Sequence, residues 1–193
     1  MSLDHGVSTQ PHVTRAECDA ALAHVLAAPK DDTPVEMICF RPGYSARSFP
    51  DRLQLSKEQG IIGERWLKDA WLKLPDGRPD PRIQVSILPK RVMDLCWRDR
   101  EATIHPGDPF IADLDTSEAN LPAGTHLQIG SAVIEVTGFF NTACVKWRDR
   151  YGVESLAWLN DPANKPYRLR GLFCRIIEDG EVRLGDLIRK LPA

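Results

Sequence analysis

The sequence has no paired cysteines, no long apolar run and no surplus of charge of either sign. Its five cysteines, Cys18, Cys39, Cys96, Cys144 and Cys174, are an odd number, widely spaced, with no Cys-x-x-Cys among them. That spacing implies neither a disulfide framework nor a cysteine-based zinc site. The five histidines, at 5, 12, 24, 105 and 126, show no His-x-x-x-His spacing, so no zinc signature comes from them either. No apolar stretch approaches the roughly 20 residues that a membrane-spanning helix needs. Lys and Arg number 25 against 27 Asp and Glu, a formal net charge of −2. Such a balance argues against a general nucleic-acid binder while leaving room for a local basic pocket. The phosphate loop Gly-x-x-x-x-Gly-Lys, the dinucleotide turn Gly-x-Gly-x-x-Gly and the hydrolase elbow Gly-x-Ser-x-Gly are all missing. The opening residues, Met1-Ser2-Leu3-Asp4-His5-Gly6, are polar and acidic, unlike a secretory signal. Unpaired thiols and the lack of a signal predict a cytoplasmic protein without membrane contact.

What is present is the balance of a globular domain, with 42% hydrophobic and 27% charged residues over 193 positions. Residues 1–13 read as a loose N-terminal tail and 14–193 as a single domain. Thr14 with Glu17 three residues on is a capping box, opening an alanine-rich helix over 16–28. Strands are predicted over 35–40, 52–55, 82–87 and 109–114, with a turn at Gly60–Gly63. Pro89 suits the first turn of a helix over 90–98, and 151–159 reads as a short helix stopped by Asn160-Asp161-Pro162. In the last third, Leu127 and Ile129 share one face with His126 and Gln128 opposite. After Gly130-Ser131, Ala132, Ile134 and Val136 line up on one face and Glu135 on the other. A period of two with glycine at the reversal predicts an antiparallel pair over 125–136. The same design, with Asp179-Gly180 as its turn, predicts a second pair over 172–188. Many short strands, Gly/Pro turns and few helices favour a mainly β fold, a barrel or folded sheet, over a βαβ array. Trp-Arg-Asp-Arg occurs at 97–100 and again at 147–150, with no longer repeat around it.

Three strings taken in order carry a resemblance. They are Gly60-Ile61-Ile62-Gly63-Glu64-Arg65-Trp66, then Ile129-Gly130-Ser131-Ala132-Val133-Ile134-Glu135-Val136-Thr137-Gly138 with Cys144 soon after, then Arg170-Gly171-Leu172-Phe173-Cys174-Arg175 running on to Gly185-Asp186. This arrangement, over residues 50–190, resembles the MOSC domain, the C-terminal module of molybdenum-cofactor sulfurases. The resemblance implies a strand-rich β-barrel with a few peripheral helices and a pocket for the molybdenum cofactor. It implies Cys144 as sulfur carrier or molybdenum ligand, with Lys146 beside it, and it turns the Arg65 and Arg170 motifs toward that pocket.

Two functions follow from the resemblance. One is a reductase of N-hydroxylated compounds, with Cys144 as the protein ligand to molybdenum and electrons from a separate donor. The other is a persulfide carrier or binding module served by a separate cysteine desulfurase, since this chain has no pyridoxal-phosphate domain. A MOSC scaffold that has lost its cofactor is the third reading. The sequence departs from the family in three places. Ala143 stands where proline is frequent before the cysteine, and Glu64 stands for aspartate. Ile111-Ala112-Asp113-Leu114 replaces a motif containing asparagine, which would put the Asp113 carboxylate near an anionic cofactor.

Residue chemistry gives the same candidates a physical basis. A thiolate binds molybdenum or carries a persulfide, and a thiol ionises near neutral pH only beside positive charge. Lys146 and Arg148 lie within four residues of Cys144. The alternative is a buried structural cysteine, which is how Cys18, Cys39, Cys96 and Cys174 read in their apolar surroundings. Arg65, Arg170 and Arg175 suit the paired oxygens of a cofactor phosphate. Each is equally well a solvated surface residue.

Overall fold

The computed structural model describes residues 11–192, so the tail predicted for the first ten residues lies outside the described residues. Val13, within that predicted tail, is buried. Thr14 caps the first helix, α1 (Arg15–Leu26), with both halves of the capping box made: its side chain accepts from Glu17 N while Glu17 Oε2 accepts from Thr14 N.

The strands follow as β1 (Thr33–Ile38), β2 (Arg52–Ser56) and β3 (Gly60–Ile61), then a short helix α2 (Trp66–Asp69). Next come β4 (Val85–Pro89), α3 (Lys90–Cys96), β5 (Phe110–Ala112), β6 (His126–Ile129) and β7 (Ala132–Val136). Two short helices, α4 (Val145–Tyr151) and α5 (Val153–Leu159), precede β8 (Leu172–Glu178), β9 (Gly180–Arg183) and β10 (Leu187–Lys190). The strand predicted over 82–87 starts only at Val85, because the Asp80 side chain accepts from Arg82 N at 2.9 Å and caps a 3-10 turn over 81–83.

Seven strands close a barrel in the order β1-β10-β6-β7-β8-β4-β5 and back to β1. Every pairing is antiparallel except β4 with β5, whose crossover runs through α3 as a parallel pair requires. The 125–136 hairpin forms as its alternation predicts: Leu127, Ile129, Ala132, Ile134 and Val136 are buried. The 172–188 segment does not form the predicted hairpin. β8 pairs with β7 and β4 in the barrel, whereas β9 leaves it to pair with β2 in a separate three-stranded sheet. Asp179 turns out of the strand to accept from Lys57 N at 2.8 Å. Gly180 answers a close approach rather than a tight reversal, since a Cβ there would lie 2.5 Å from Ala132 N.

The barrel interior is filled by Val35, Val85, Ile87, Phe110, Leu127, Ile134, Leu172 and Cys174 among others. A second apolar core lies outside it, where Leu88 and Ile111 meet Val92, Trp147, Tyr151 and Trp158 of the helices. All five residues of β4 are therefore buried, one face in the barrel and the other under helices. This helical cover carries the candidate thiol.

Candidate functional site

Asn160 fixes the loop that leads to Cys144. Ala143 N donates to Asn160 Oδ1 at 2.9 Å, and Asn160 Nδ2 donates back to Ala143 O at 2.8 Å. Cys144 follows in an extended conformation (φ −113°, ψ −179°), and its carbonyl accepts from Trp147 N at 2.9 Å and Arg148 N at 3.2 Å, starting α4. The helix over 145–151 was not predicted from sequence. Gly152 (φ +95°) separates it from α5, the helix predicted over 151–159, which forms over Val153–Leu159. Cys144 is exposed with a free thiol, whereas the other four cysteines are buried. Burial pushes the thiols of Cys18 and Cys39 up to about 11 and that of Cys174 to about 12. Thiol chemistry with a ligand therefore falls to Cys144.

Two residues further along the chain, Lys146 meets a second cation on an aromatic ring. Tyr44, 63% exposed in the loop after β1, receives the Arg65 guanidinium at 4.3 Å from its ring centroid and the Lys146 ammonium at 5.0 Å. Arg65 reaches the ring from the start of α2, where Glu64 locks the backbone: one carboxylate oxygen accepts from Arg41 Nε at 2.6 Å, the other from Trp66 N at 2.9 Å. Lys146 comes from α4, two residues beyond the thiol. Its neighbour Trp147 points inward, donating to Ser155 Oγ at 3.1 Å, and the Arg170 guanidinium lies 4.9 Å from the Trp147 ring.

Arg170 is held from below by Asp108, whose Oδ1 accepts from it at 2.9 Å and from Ser86 Oγ at 2.8 Å. Burial alone would raise the Asp108 carboxyl, but the charges of Arg170 and Arg41 and these two hydrogen bonds hold it below its ordinary value. His105, on the same turn, is 2% exposed and wedged edge-on between Phe49 and Trp97. Its Nδ1 accepts from Gly107 N at 3.0 Å, leaving the proton on Nε2, which has no partner. Burial pushes the His105 pKa down from 6.5 to about 4; Asp108 opposes this, and Arg47, Arg170 and Arg41 add to it.

The consequence for stability has a definite sign. Between those two values the unfolded chain takes up a proton at His105 that the folded chain refuses. Stability is therefore full above the unfolded pKa of 6.5 and falls as pH drops toward about 4. Each unit of depression corresponds to about 1.4 kcal/mol. In a melting series across this window, wild type is expected to lose stability more steeply than His105→Phe, in which only the carboxylates with lowered pKa remain to give a slope. Equal slopes would remove His105 as the cause.

No protein-family profile and no curated protein sequence matches the chain. Solved structures do. The YuaD protein of Bacillus subtilis superposes with a TM-score of 0.59 at 18% identity, over 81% of this chain and 93% of that one. YiiM of Escherichia coli gives 0.56 at 16%, over 84% and 70%, and YiiM of Geobacillus stearothermophilus gives 0.55 at 12%, over 83% and 75%. YuaD and YiiM are MOSC-domain proteins. This chain has the MOSC-like fold.

At these identities the likeness is one of fold, and the site must be judged on its own residues. In the MOSC-like frame, Arg65 and Lys146 meet on Tyr44, and Arg170 lies beneath the residue next to Lys146. Arg175 is not part of this group. On β8 it alternates with the inward Cys174, and it makes a bidentate pair with Glu135, its partner in register, at 2.9 Å through each nitrogen. Asp113 is engaged by Arg91 at 2.7 and 3.0 Å, and Arg91 also donates to His24 O of α1. Sequence reading missed Tyr44, Arg41, Arg47, Asp108 and Asn160. The crowding of Arg41, Tyr44 and Arg47 into seven loop residues was the available signal.

The donor set suits the molybdenum cofactor by charge and softness. Arg65 and Lys146 could pair with phosphate oxygens, the accessible thiol of Cys144 could bind a soft metal, and the buried Arg47 Nε has no acceptor. Among the described residues no group of three or more His, Cys, Asp or Glu could hold a metal ion unaided. A metal here would bring most of its own ligands. No helix among the described residues is long and apolar enough to cross a membrane.

Proposed function

We propose that this MOSC-like protein binds molybdenum cofactor and reduces N-hydroxylated compounds, with Cys144 as the protein's ligand to molybdenum. One observation carries the reading: of five thiols, four are buried, and the exposed one stands two residues from Lys146, which shares the Tyr44 ring with Arg65. Lys146 and Arg65 would hold the phosphate, and Arg170 would brace Trp147 under the Cys144 loop. Tyr44 would cover the bound group and keep water from it. The cofactor supplies a metal centre that exchanges two electrons. Cleaving the N–O bond consumes those electrons and two protons and releases water, and the electrons come from a separate donor protein.

A persulfide carrier supplied by a cysteine desulfurase is the second reading, favoured by the single accessible thiol among the described residues. Elemental analysis with pterin fluorescence, on protein made in a host that synthesises the cofactor, separates the readings. Molybdenum and pterin in equal amounts are expected. A persulfide on Cys144 without metal would replace the reductase by the carrier, and neither would leave a scaffold.

A further inference from the structure

Of the five tryptophans, Trp66, Trp97, Trp147 and Trp158 are buried, whereas Trp71 is 59% exposed. It follows α2, which buries Trp66 and Ala70 against Ile83 and leaves Leu67, four residues before Trp71, 44% exposed. The wall beneath Trp71 is already filled. Its ring lies 5.8 Å from that of Phe139 and 6.2 Å from that of Phe173, between centroids, and those two rings lie 6.2 Å apart. Leu72 packs inward on the same small core, and Lys73 is exposed again. Lys68 and Lys73 enter no ion pair among the described residues. The neighbouring arginines are neutralised: Arg82, over the Phe139 ring at 5.2 Å, pairs with Asp80 at 2.6 Å, Arg78 with Asp76 at 2.7 Å, and Arg65 with Asp69 at 3.8 Å. An exposed apolar pair thus stands among cations whose charge nothing nearby offsets.

We propose that this patch seats the protein on an anionic phospholipid surface, with Leu67 and Trp71 entering the headgroup layer and Lys68 and Lys73 pairing with lipid phosphates. Tryptophan is favoured at that boundary, where its ring meets apolar chains and its N–H stays near water. An apolar anchor and unpaired lysines together bind reversibly, each reinforcing the other. Two other occupants fit less well. A second copy related by a two-fold axis would set the same lysines against one another. An acidic protein would answer the charge, but protein interfaces are poor in lysine, and the arginines they favour are tied up here. Area counts against both: a tryptophan offers about 250 Å² at most, against roughly 800 Å² per partner in a standard protein interface. Surface adsorption needs no membrane-spanning helix, and none is present among the described residues. The inference does not depend on what Cys144 carries.

The test uses the full chain with vesicles of phosphatidylcholine alone and of phosphatidylcholine mixed with phosphatidylglycerol. Co-sedimentation and tryptophan emission are the readouts. Wild type is expected to sediment with the mixed vesicles and not the neutral ones, less so as salt rises, with a blue shift of emission as Trp71 leaves water. Trp71→Phe should keep binding and lose the shift, since the other four tryptophans are already buried. Trp71→Ser, and the double change Lys68→Glu with Lys73→Glu, should each bind roughly tenfold more weakly or worse. The lysine variant, changed only at exposed positions, should melt with wild type, which keeps the test valid should Trp71→Ser loosen the rings below it. Equal sedimentation with neutral and mixed vesicles, a shift that survives Trp71→Phe, or wild-type binding by the lysine variant would each overturn the proposal. So would a preference for soluble polyglutamate over mixed vesicles, which gives the patch to an acidic protein, or a dimer that Trp71→Ser dissolves, which gives it to a second copy.

Discussion

Cys144→Ser is expected to lose bound molybdenum or persulfide, and activity with it, at an unchanged melting temperature. Serine nearly preserves volume, but its hydroxyl does not ionise at neutral pH and is a poor ligand for a soft metal. The exposed position of Cys144 makes the thermal half of this prediction firm, because no apolar packing is lost there. The hydrogen bonds around it come from its carbonyl and from Ala143 and Asn160, all of which survive the change. Cys96→Ser supplies the contrast: its buried hydroxyl should cost about 1–3 kcal/mol while the metal or persulfide is retained. If Cys144→Ser keeps a full load of metal or persulfide, Cys144 is not the functional thiol.

Gly171→Ala should be the most damaging small substitution in the barrel. Gly171 joins Arg170 to β8 with φ +89°, and a Cβ there would lie 2.1 Å from Ile87 O and 3.0 Å from Leu88 Cα. Both obstacles are backbone of β4, which is buried on both faces and cannot retreat. The β4–β8 pairing of Ile87 with Leu172 would have to open, dragging Arg170 from Asp108. A loss of about 3–4 kcal/mol is expected, from a positive-φ side chain combined with a steric clash. For a domain of this size that corresponds to a fall in melting temperature of roughly 6–16 °C. Gly43→Ala, where a Cβ meets nothing within 4 Å, should stay within about 0.5 kcal/mol of wild type. Similar melting temperatures for the two variants would show that β4 yields more readily than its burial implies.

The sequence by itself determined the elements whose causes are local. The capping box at Thr14 and Glu17 depends on residues three apart, and the 125–136 hairpin on alternation around one glycine. Arg175, a phosphate candidate in the sequence, was set apart only by the structure, where it alternates with the buried Cys174 and pairs with Glu135. The ordered motifs likewise indicated a barrel and singled out Cys144. Tertiary structure decided what depends on partners far along the chain. Asp179-Gly180 reads as a hairpin turn, yet β9 pairs with β2 more than a hundred residues earlier, because β8 is already taken on both edges by β7 and β4. The site is of this second kind. Tyr44, Arg65 and Lys146 come from three separate elements and meet on one ring, and Arg170 reaches Asp108 across 62 residues. Local propensity carries no information about such meetings, because barrel closure and helix packing fix them, and the charges come together only once the chain has folded.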